Sequence, residues 1–339
     1  MLRKLRVGVV GSGWVAENRH VPCWRNVGAD IVAVCTQAPP QEARARLKVE
    51  YVTSDLDDLL RLRPDVVSVC SPPQLHLEHA QRIAERGIPI LIEKPLVVTV
   101  DEAKALEQTL RRTGTPLSPA HSFRFCRATR QALDYLASGA AGDIIHVTGI
   151  QLSSFTRRLP TWFSDLPGGL YWDEAPHLVY LMDTFLGKAR VVSSQVSWGD
   201  STTPRTVSAE LAGDQATGSL HMIFGSGVSE WHVTIVATNA VIDLDLFRDI
   251  CVILPPDGGH GRLGVAKVSL SATAQHAAGF LASGWKHLQG KLYYGHDELI
   301  RRYAERLEPP VNVFEEGLRT VYLTHDILNL AGAARTALA

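Results

Sequence analysis

The sequence predicts an α/β N-terminal domain on a parallel, doubly wound sheet, followed by an α+β domain on a large, mostly antiparallel open sheet. Three observations carry this. Short strands that are apolar throughout alternate with helix-length segments as far as about Pro119, the pattern of a parallel sheet covered on both faces. From Asp143 onward the strands lengthen and their apolar residues alternate, with Gly-, Asp- or Asn-containing turns between several of them. The 339 residues also suit two domains of about 100–200 residues each. The expected division is 1–120 and 121–339.

In order along the chain, Leu5–Val10 is a β-branched run that ends in Gly11-Ser12-Gly13, and a helix follows from Trp14 to Asn26. Ile31–Cys35 is a second strand, succeeded by a Pro-Pro turn and a helix around Glu42–Lys48. Asp55 caps a helix that runs through Leu62 and is closed by Pro64. Val66–Ser71 is the third strand, and its helix, from about Leu75 to Arg86, stops at Gly87, a C-cap residue. Ile90–Ile92 is the next strand, and Thr99-Val100-Asp101-Glu102 is a capping box for a helix through Arg112. In the second domain the expected strands are 144–152, 190–198, 206–212, 216–224, 231–238 and 240–247. Helices are expected at about 127–137, 175–185, 274–308 and 314–335.

The composition narrows the function. Thirty-four basic against 35 acidic residues give a net charge of −1, which argues against a nucleic-acid partner, because that binding needs clustered Lys and Arg. Glycines at 8, 11 and 13 interrupt what would otherwise be a leader core, and no apolar run approaches the roughly 20 residues of a membrane span. Five dispersed cysteines without a C-x-x-C point to free thiols in a reducing, cytoplasmic setting. No metal-ligand spacing emerges among the histidines and cysteines.

Gly11-Ser12-Gly13-Trp14-Val15-Ala16 is G-x-G-x-x-A after a strand and opening a helix, the context of a Rossmann dinucleotide site. Gly11 makes the tight turn, Gly13 lets the backbone approach a pyrophosphate, and the small Ala16 lets helix and strand pack. The N–H groups of Ser12, Trp14 and Val15 lie where phosphates bind a helix N-terminus. An acid that reads the ribose 2′-hydroxyl is missing at the end of the second strand, where Thr36 and Gln37 stand instead. With Arg44 or Arg46 on the next helix in reach of a 2′-phosphate, the cofactor is NAD(P) with a lean towards NADP.

The same strand-end edge collects Ser71-Pro72-Pro73 with His76, and then Glu93-Lys94-Pro95. Later, in Trp172-Asp173-Glu174-Ala175-Pro176-His177, Asp173 and His177 are i and i+4 and share a helix face. With His20-Val21-Pro22 and His121-Ser122-Phe123-Arg124-Phe125, these motifs in this order make the chain similar to the Gfo/Idh/MocA family of glucose–fructose oxidoreductase and inositol dehydrogenase. The resemblance covers nearly the whole sequence. It implies that Ser71, Pro72, His76, Glu93 and Lys94 adjoin the cofactor, and that Lys94 bonds the reacting hydroxyl or carbonyl. Asp173 would then orient substrate and His177 would be the leading acid/base, with Arg124 and Trp172 as further substrate contacts. A histidine near its ordinary pKa serves both directions of hydride transfer. Where the family commonly has an acid three residues after the histidine, this chain has Tyr180, which is expected to remove a polar contact.

The implied activity is hydride transfer between a nicotinamide and a sugar, nucleotide sugar or cyclitol. Two alternatives stand beside it: a redox-neutral epimerase, eliminase or hydrolase with tightly held NAD(P), and a non-catalytic dinucleotide sensor. The alternation of Val207, Ala209 and Leu211 with Ser208 and Glu210 leaves one sheet face for another subunit, so a homodimer or homotetramer is expected, without a membrane partner.

Overall fold

The computed structural model describes residues 4–199, 201–306 and 313–336. The chain divides into two units, one running to Ser122 and regaining His296–Tyr322, the other Phe123–Gly295 and the chain from Leu323. The segment His296–Tyr322, which the sequence alone assigns to the second domain, thus packs with the first.

In the first unit β1 (Arg6–Val10), β2 (Asp30–Cys35), β3 (Val52–Thr53), β4 (Val66–Val69), β5 (Ile90–Ile92) and β6 (Leu117–Pro119) form one sheet in the order β3-β2-β1-β4-β5-β6. Every neighbouring pair is parallel. This order reverses direction at β1, and in open α/β sheets such a switch point, beyond the carboxyl ends of the strands, is where ligands bind. The intervening helices are α1 (Val21–Asn26), α2 (Pro40–Leu47), α3 (Leu56–Arg61), α4 (His76–Ala84) and α5 (Val100–Thr113). The Asp55 cap and the reciprocal Thr99–Glu102 capping box both form. The first helix is irregular. Residues Ala16–His20 make a π-helical turn in which Val21 N–H bonds Ala16 O, immediately before Pro22. Pro22 has no N–H to continue an α-ladder, and the wider turn swings His20 into the core.

The second unit holds α6 (Arg127–Ala137), β7 (Ile144–Ser153), α7 (Leu170–Leu186), β8 (Arg190–Trp198), β9 (Pro204–Ala212) and β10 (Thr217–Phe224). It continues with β11 (Glu230–Ala237), β12 (Val241–Asp245), β13 (Ile250–Leu254) and α8 (Arg262–Leu288). The sheet order is β13-β12-β11-β7-β10-β9-β8. Five of the six pairings are antiparallel, but the central pair, β7 with β10, is parallel. Helix α7 lies on this centre because Gly149 and Gly218 leave room for it: a Cβ there would meet Met182 at 3.1 and 2.9 Å. Three sequence expectations change, one being that the helical stretch expected over 274–308 is broken between Leu288 and His296. Strand β13 was not anticipated, since its five residues are too few to show a period. Helix α8 starts at Arg262 rather than 274, its first turns containing Gly264 and the β-branched Val265 and Val268 that weaken the local signal.

Two further helices, α9 (His296–Arg306) and α10 (Val313–Thr336), follow. In the first unit α9 packs on α1, with Tyr303 edge-on to Trp24. No helix among the described residues is long and apolar enough to cross a membrane.

Candidate active site

The glycine turn has the shape its sequence demands. Gly11 has φ +94°, and a Cβ there would lie 2.6 Å from Cys70 O and 2.8 Å from Ser71 N. The end of β1 thus runs against the end of β4, which brings Ser71 to the turn. A Cβ on Gly13 meets nothing within 4 Å, so this backbone faces open space on the side from which a pyrophosphate approaches. Ser12 Oγ and Thr36 Oγ1 are 2.8 Å apart, and Arg46 Nη2 donates to Ser12 O at 2.8 Å. Of the two arginines expected near a ribose, Arg46 is therefore at the turn. Gln37 is turned to Ser54 O, Val15 is half-buried, and Trp14 is exposed with the Arg19 guanidinium over its ring. The residues present fit a dinucleotide: a turn with glycine on both sides of Ser12, and Thr36 and Gln37 rather than an acid at the end of β2.

At the ends of β4 and β5 the buried His76 bridges Ser71 O and Pro95 O, 2.9 Å from each. It braces the loops that carry Ser71 and Lys94, and burial pulls its pKa below the usual imidazole value. Pro72 is exposed between them. Glu93 ends β5 with a buried carboxylate. His20 Nε2 lies 2.8 Å and His296 Nε2 3.0 Å from its Oε1, and Lys94 N–H donates to Oε2 at 3.2 Å. Burial would raise the Glu93 pKa, but the His20 and His296 hydrogen bonds outweigh it and hold it well below the ordinary carboxylate range. An ionised carboxylate only accepts, so both Nε2 atoms carry hydrogen. Trp24 Nε1–H donates to Ser68 Oγ at 3.0 Å, and the serine hydroxyl in turn faces His20 Nδ1 at 2.8 Å. His20 is accordingly a neutral Nε2–H tautomer, its pKa lowered by burial. This network fixes the backbone beside Lys94, which is half-buried and enters a cis peptide bond to Pro95.

Sequence spacing offered no metal site, yet the fold brings His20, Glu93 and His296 within ligating distance of one another, and likewise Glu230, His232 and Asp245. In the first set the facing atoms are engaged by the hydrogen bonds above. In the second, Glu230 and Asp245 both pair with Arg248.

In the second unit α7 carries Asp173 and His177 on one face, four residues apart, with Asp173 buried and His177 half-buried. Pro176 lies between them and leaves the Trp172 carbonyl without its usual helical donor. Tyr180 corrects an expectation. Its hydroxyl accepts from Phe123 N–H at 3.0 Å and lies 3.2 Å from His177 Nδ1, so this tyrosine supplies the histidine with a polar contact. The hydroxyl thereby ties His177 to the backbone at Phe123. The imidazole is walled by rings: Phe123 and Trp231 each have centroids 5.1 Å away. Phe247 and Tyr294 continue this wall. Trp172 also needs correction. It is 2% exposed and edge-on to Tyr171, in the core, with no face free to stack on a ligand. Arg124 is half-buried in the turn Ser122–Phe125. Arg157 ion-pairs with the buried Glu174.

Residues 5–121 match the family model described as an oxidoreductase family with an NAD-binding Rossmann fold. The Rossmann part of the chain is thus similar to that of the Gfo/Idh/MocA oxidoreductases. Among curated proteins it is similar to D-glucoside 3-dehydrogenase of Escherichia coli, 36% identical over 150 residues, 42% of each chain. It is also similar to levoglucosan dehydrogenase of Pseudarthrobacter phenanthrenivorans, 26% identical over 221 residues, 58% of this chain and 55% of that protein. The chain thus spans about half the length of the curated relatives it matches. Similar solved structures include WlbA dehydrogenase of Bordetella pertussis, solved with NADH and UDP-GlcNAcA. It superposes with TM-score 0.77 at 21% identity, over 98% of this chain and 97% of that one. An NAD-binding oxidoreductase of Klebsiella pneumoniae gives 0.80 at 20%, over 98% and 97%. At these identities the likeness shows the fold alone.

Three features were not legible in the sequence: His296 and Ser68 in the first unit, and the ring wall of Trp231, Phe247 and Tyr294 in the second. None has a local motif, because each reaches its place through tertiary packing.

Proposed function

We propose that this protein is an NAD(P)-dependent dehydrogenase or reductase acting on a CH–OH group of a sugar, nucleotide sugar or cyclitol. The observation that carries the reading is the glycine turn, in which Gly11 is pressed against the Cys70–Ser71 backbone while Gly13 faces open space. Gly11–Val15, Thr36 and Ser71 would hold the dinucleotide, with Pro72 and the His76- and Glu93-braced loops around it. Bound there, the nicotinamide supplies or accepts a hydride. Lys94 and His177 serve the proton path: the lysine ammonium stabilises a developing alkoxide, and His177 exchanges a proton through Nε2 while Tyr180 orients it through Nδ1. Asp173, on the same helix face, orients substrate, and Arg124 is a further contact.

Among cofactors, NADP is favoured. Thr36 and Gln37 bring no charge to repel a 2′-phosphate, and Arg46, anchored on Ser12 O, brings a positive one. The relatives named above act on or bind sugars and nucleotide sugars, which supports that substrate class. Five buried free cysteines fit a reducing, cytoplasmic setting.

Titration of cofactor-stripped protein with NADH and NADPH, followed by nicotinamide fluorescence, tests the reading. Tighter NADPH binding is expected. Preference for NADH overturns the cofactor choice, and binding of neither overturns the function. In pH–rate profiles, a limb that survives His177→Asn rules out His177 as its source.

A further inference from the structure

Helix α8 is about 40 Å long at 1.5 Å per residue, and one side of it holds the second unit. Gln275 bonds both the N–H and the carbonyl of Ile253, Gly279 rests on Ile250, and Arg127 donates to Gly279 O and Ser283 Oγ. These anchoring positions, 275, 279 and 283, recur every four residues and define the inner face.

The opposite face is apolar and in solvent. Leu263, Leu270, Leu281 and Leu288 are 88%, 73%, 70% and 82% exposed, and Ala274 and Ala277 stand between them, also exposed. A soluble helix normally directs such a stripe inward. This one has an unusual order. The six residues are spaced 7, 4, 3, 4 and 7 apart, a series that reads the same in both directions. Two copies of the helix laid antiparallel about a two-fold axis between Gln275 and His276 would therefore match the stripe to itself. Leu263 of one copy meets Leu288 of the other, Leu270 meets Leu281, and Ala274 meets Ala277.

We infer that α8 is a two-fold self-association surface that takes a second copy of this chain. An isologous contact requires self-complementarity, and the palindromic stripe supplies it. The small alanines at the axis let the two backbones approach, with leucines filling the space on either side. Exposed Trp285 would lie beside Lys267 of the other copy, a cation–π partner. With Trp285 and Phe280, the four leucines offer on the order of 800 Å² of surface, about what each partner gives to a standard interface. The competing occupant is an anionic membrane surface, since no acid lies between Asp257 and Asp297. Against it stand the alanines at the centre of the stripe, where a surface-bound helix needs large side chains, and a symmetry of spacing that a bilayer does not read.

The test uses the full chain and sedimentation equilibrium. Leu270→Glu with Leu281→Glu sets like charges opposite each other at both contacts, and the mass is expected to fall by half. Leu270→Lys with Leu281→Glu sets opposite charges face to face, and the wild-type mass is expected to return. Both positions altered are exposed in the subunit, and far-UV circular dichroism confirms that each variant is folded. A wild-type monomer, or a mass unchanged by the double glutamate variant, overturns the proposal. Failure of the lysine–glutamate pair to restore association overturns the register. Co-sedimentation of a monomeric wild-type chain with phosphatidylserine vesicles, lost in the double glutamate variant, assigns the stripe to a membrane instead.

Discussion

Gly11 and Gly13 belong to one motif, yet the structure gives them different work, and alanine at each separates the two. At Gly11 an alanine must adopt φ +94° with its Cβ 2.6–2.8 Å from the Cys70 carbonyl and the Ser71 nitrogen. The left-handed conformation costs about 1–2 kcal/mol. Forcing a methyl against backbone, which cannot rotate away as a side chain does, costs about 1–3 kcal/mol more. The total, roughly 2–5 kcal/mol, lowers the melting temperature of the unit by about 4–20 °C at roughly 2–4 °C per kcal/mol. At Gly13 the added methyl meets nothing within 4 Å. Gly13→Ala is therefore expected to leave stability unchanged or raise it by up to about 1 kcal/mol, while the methyl occupies the space a pyrophosphate needs and weakens NADPH binding. Calorimetry and nicotinamide fluorescence read the two effects separately. If Gly11→Ala melts with the wild type, or if Gly13→Ala destabilises while binding cofactor normally, the division of labour is wrong.

Three further outcomes are expected. Arg46→Ala should weaken NADPH binding by about tenfold, the loss of roughly 1.4 kcal/mol, and leave NADH binding nearly unchanged; equal losses for both cofactors would place Arg46 outside 2′-phosphate recognition. Tyr180→Phe leaves the buried Phe123 N–H without the acceptor it has at 3.0 Å, at a cost of about 1–3 kcal/mol. It should also shift the His177 limb of the pH–rate profile, whereas a purely structural role would leave that limb in place. Burial holds His20, His76 and His79 below the ordinary imidazole value. Between their folded values and about 6.5 the unfolded chain therefore binds more protons, and stability falls as pH drops below about 6.5. Glu93, held low, adds stability above about pH 4.3 that is lost as pH falls further. Urea midpoints from pH 8 downward should show this decline; a flat profile to pH 5 would refute neutral buried histidines.

The sequence by itself determined the parallel sheet of the first unit, the glycine turn, the helix caps and the likeness to a family of Rossmann oxidoreductases. These depend on contacts within a few residues: a tight turn requires glycine locally, and a buried parallel strand is apolar along its whole length whatever lies beside it. It also placed Asp173 and His177 on one face, because helical spacing is itself local. Only the tertiary structure decided that His296, some 200 residues from Glu93, completes that carboxylate's partners, and that His296–Tyr322 returns to the first unit. It alone decided that β7 pairs in parallel with β10, that Tyr180 serves His177, and that Trp172 is core. A side chain's type is read from the sequence, but its partner depends on which strand ends and helix faces meet, and those meetings are set by packing over long separations. The stripe on α8 has both characters: its palindromic spacing is written in the sequence, and the fold shows that this face is the one turned to solvent.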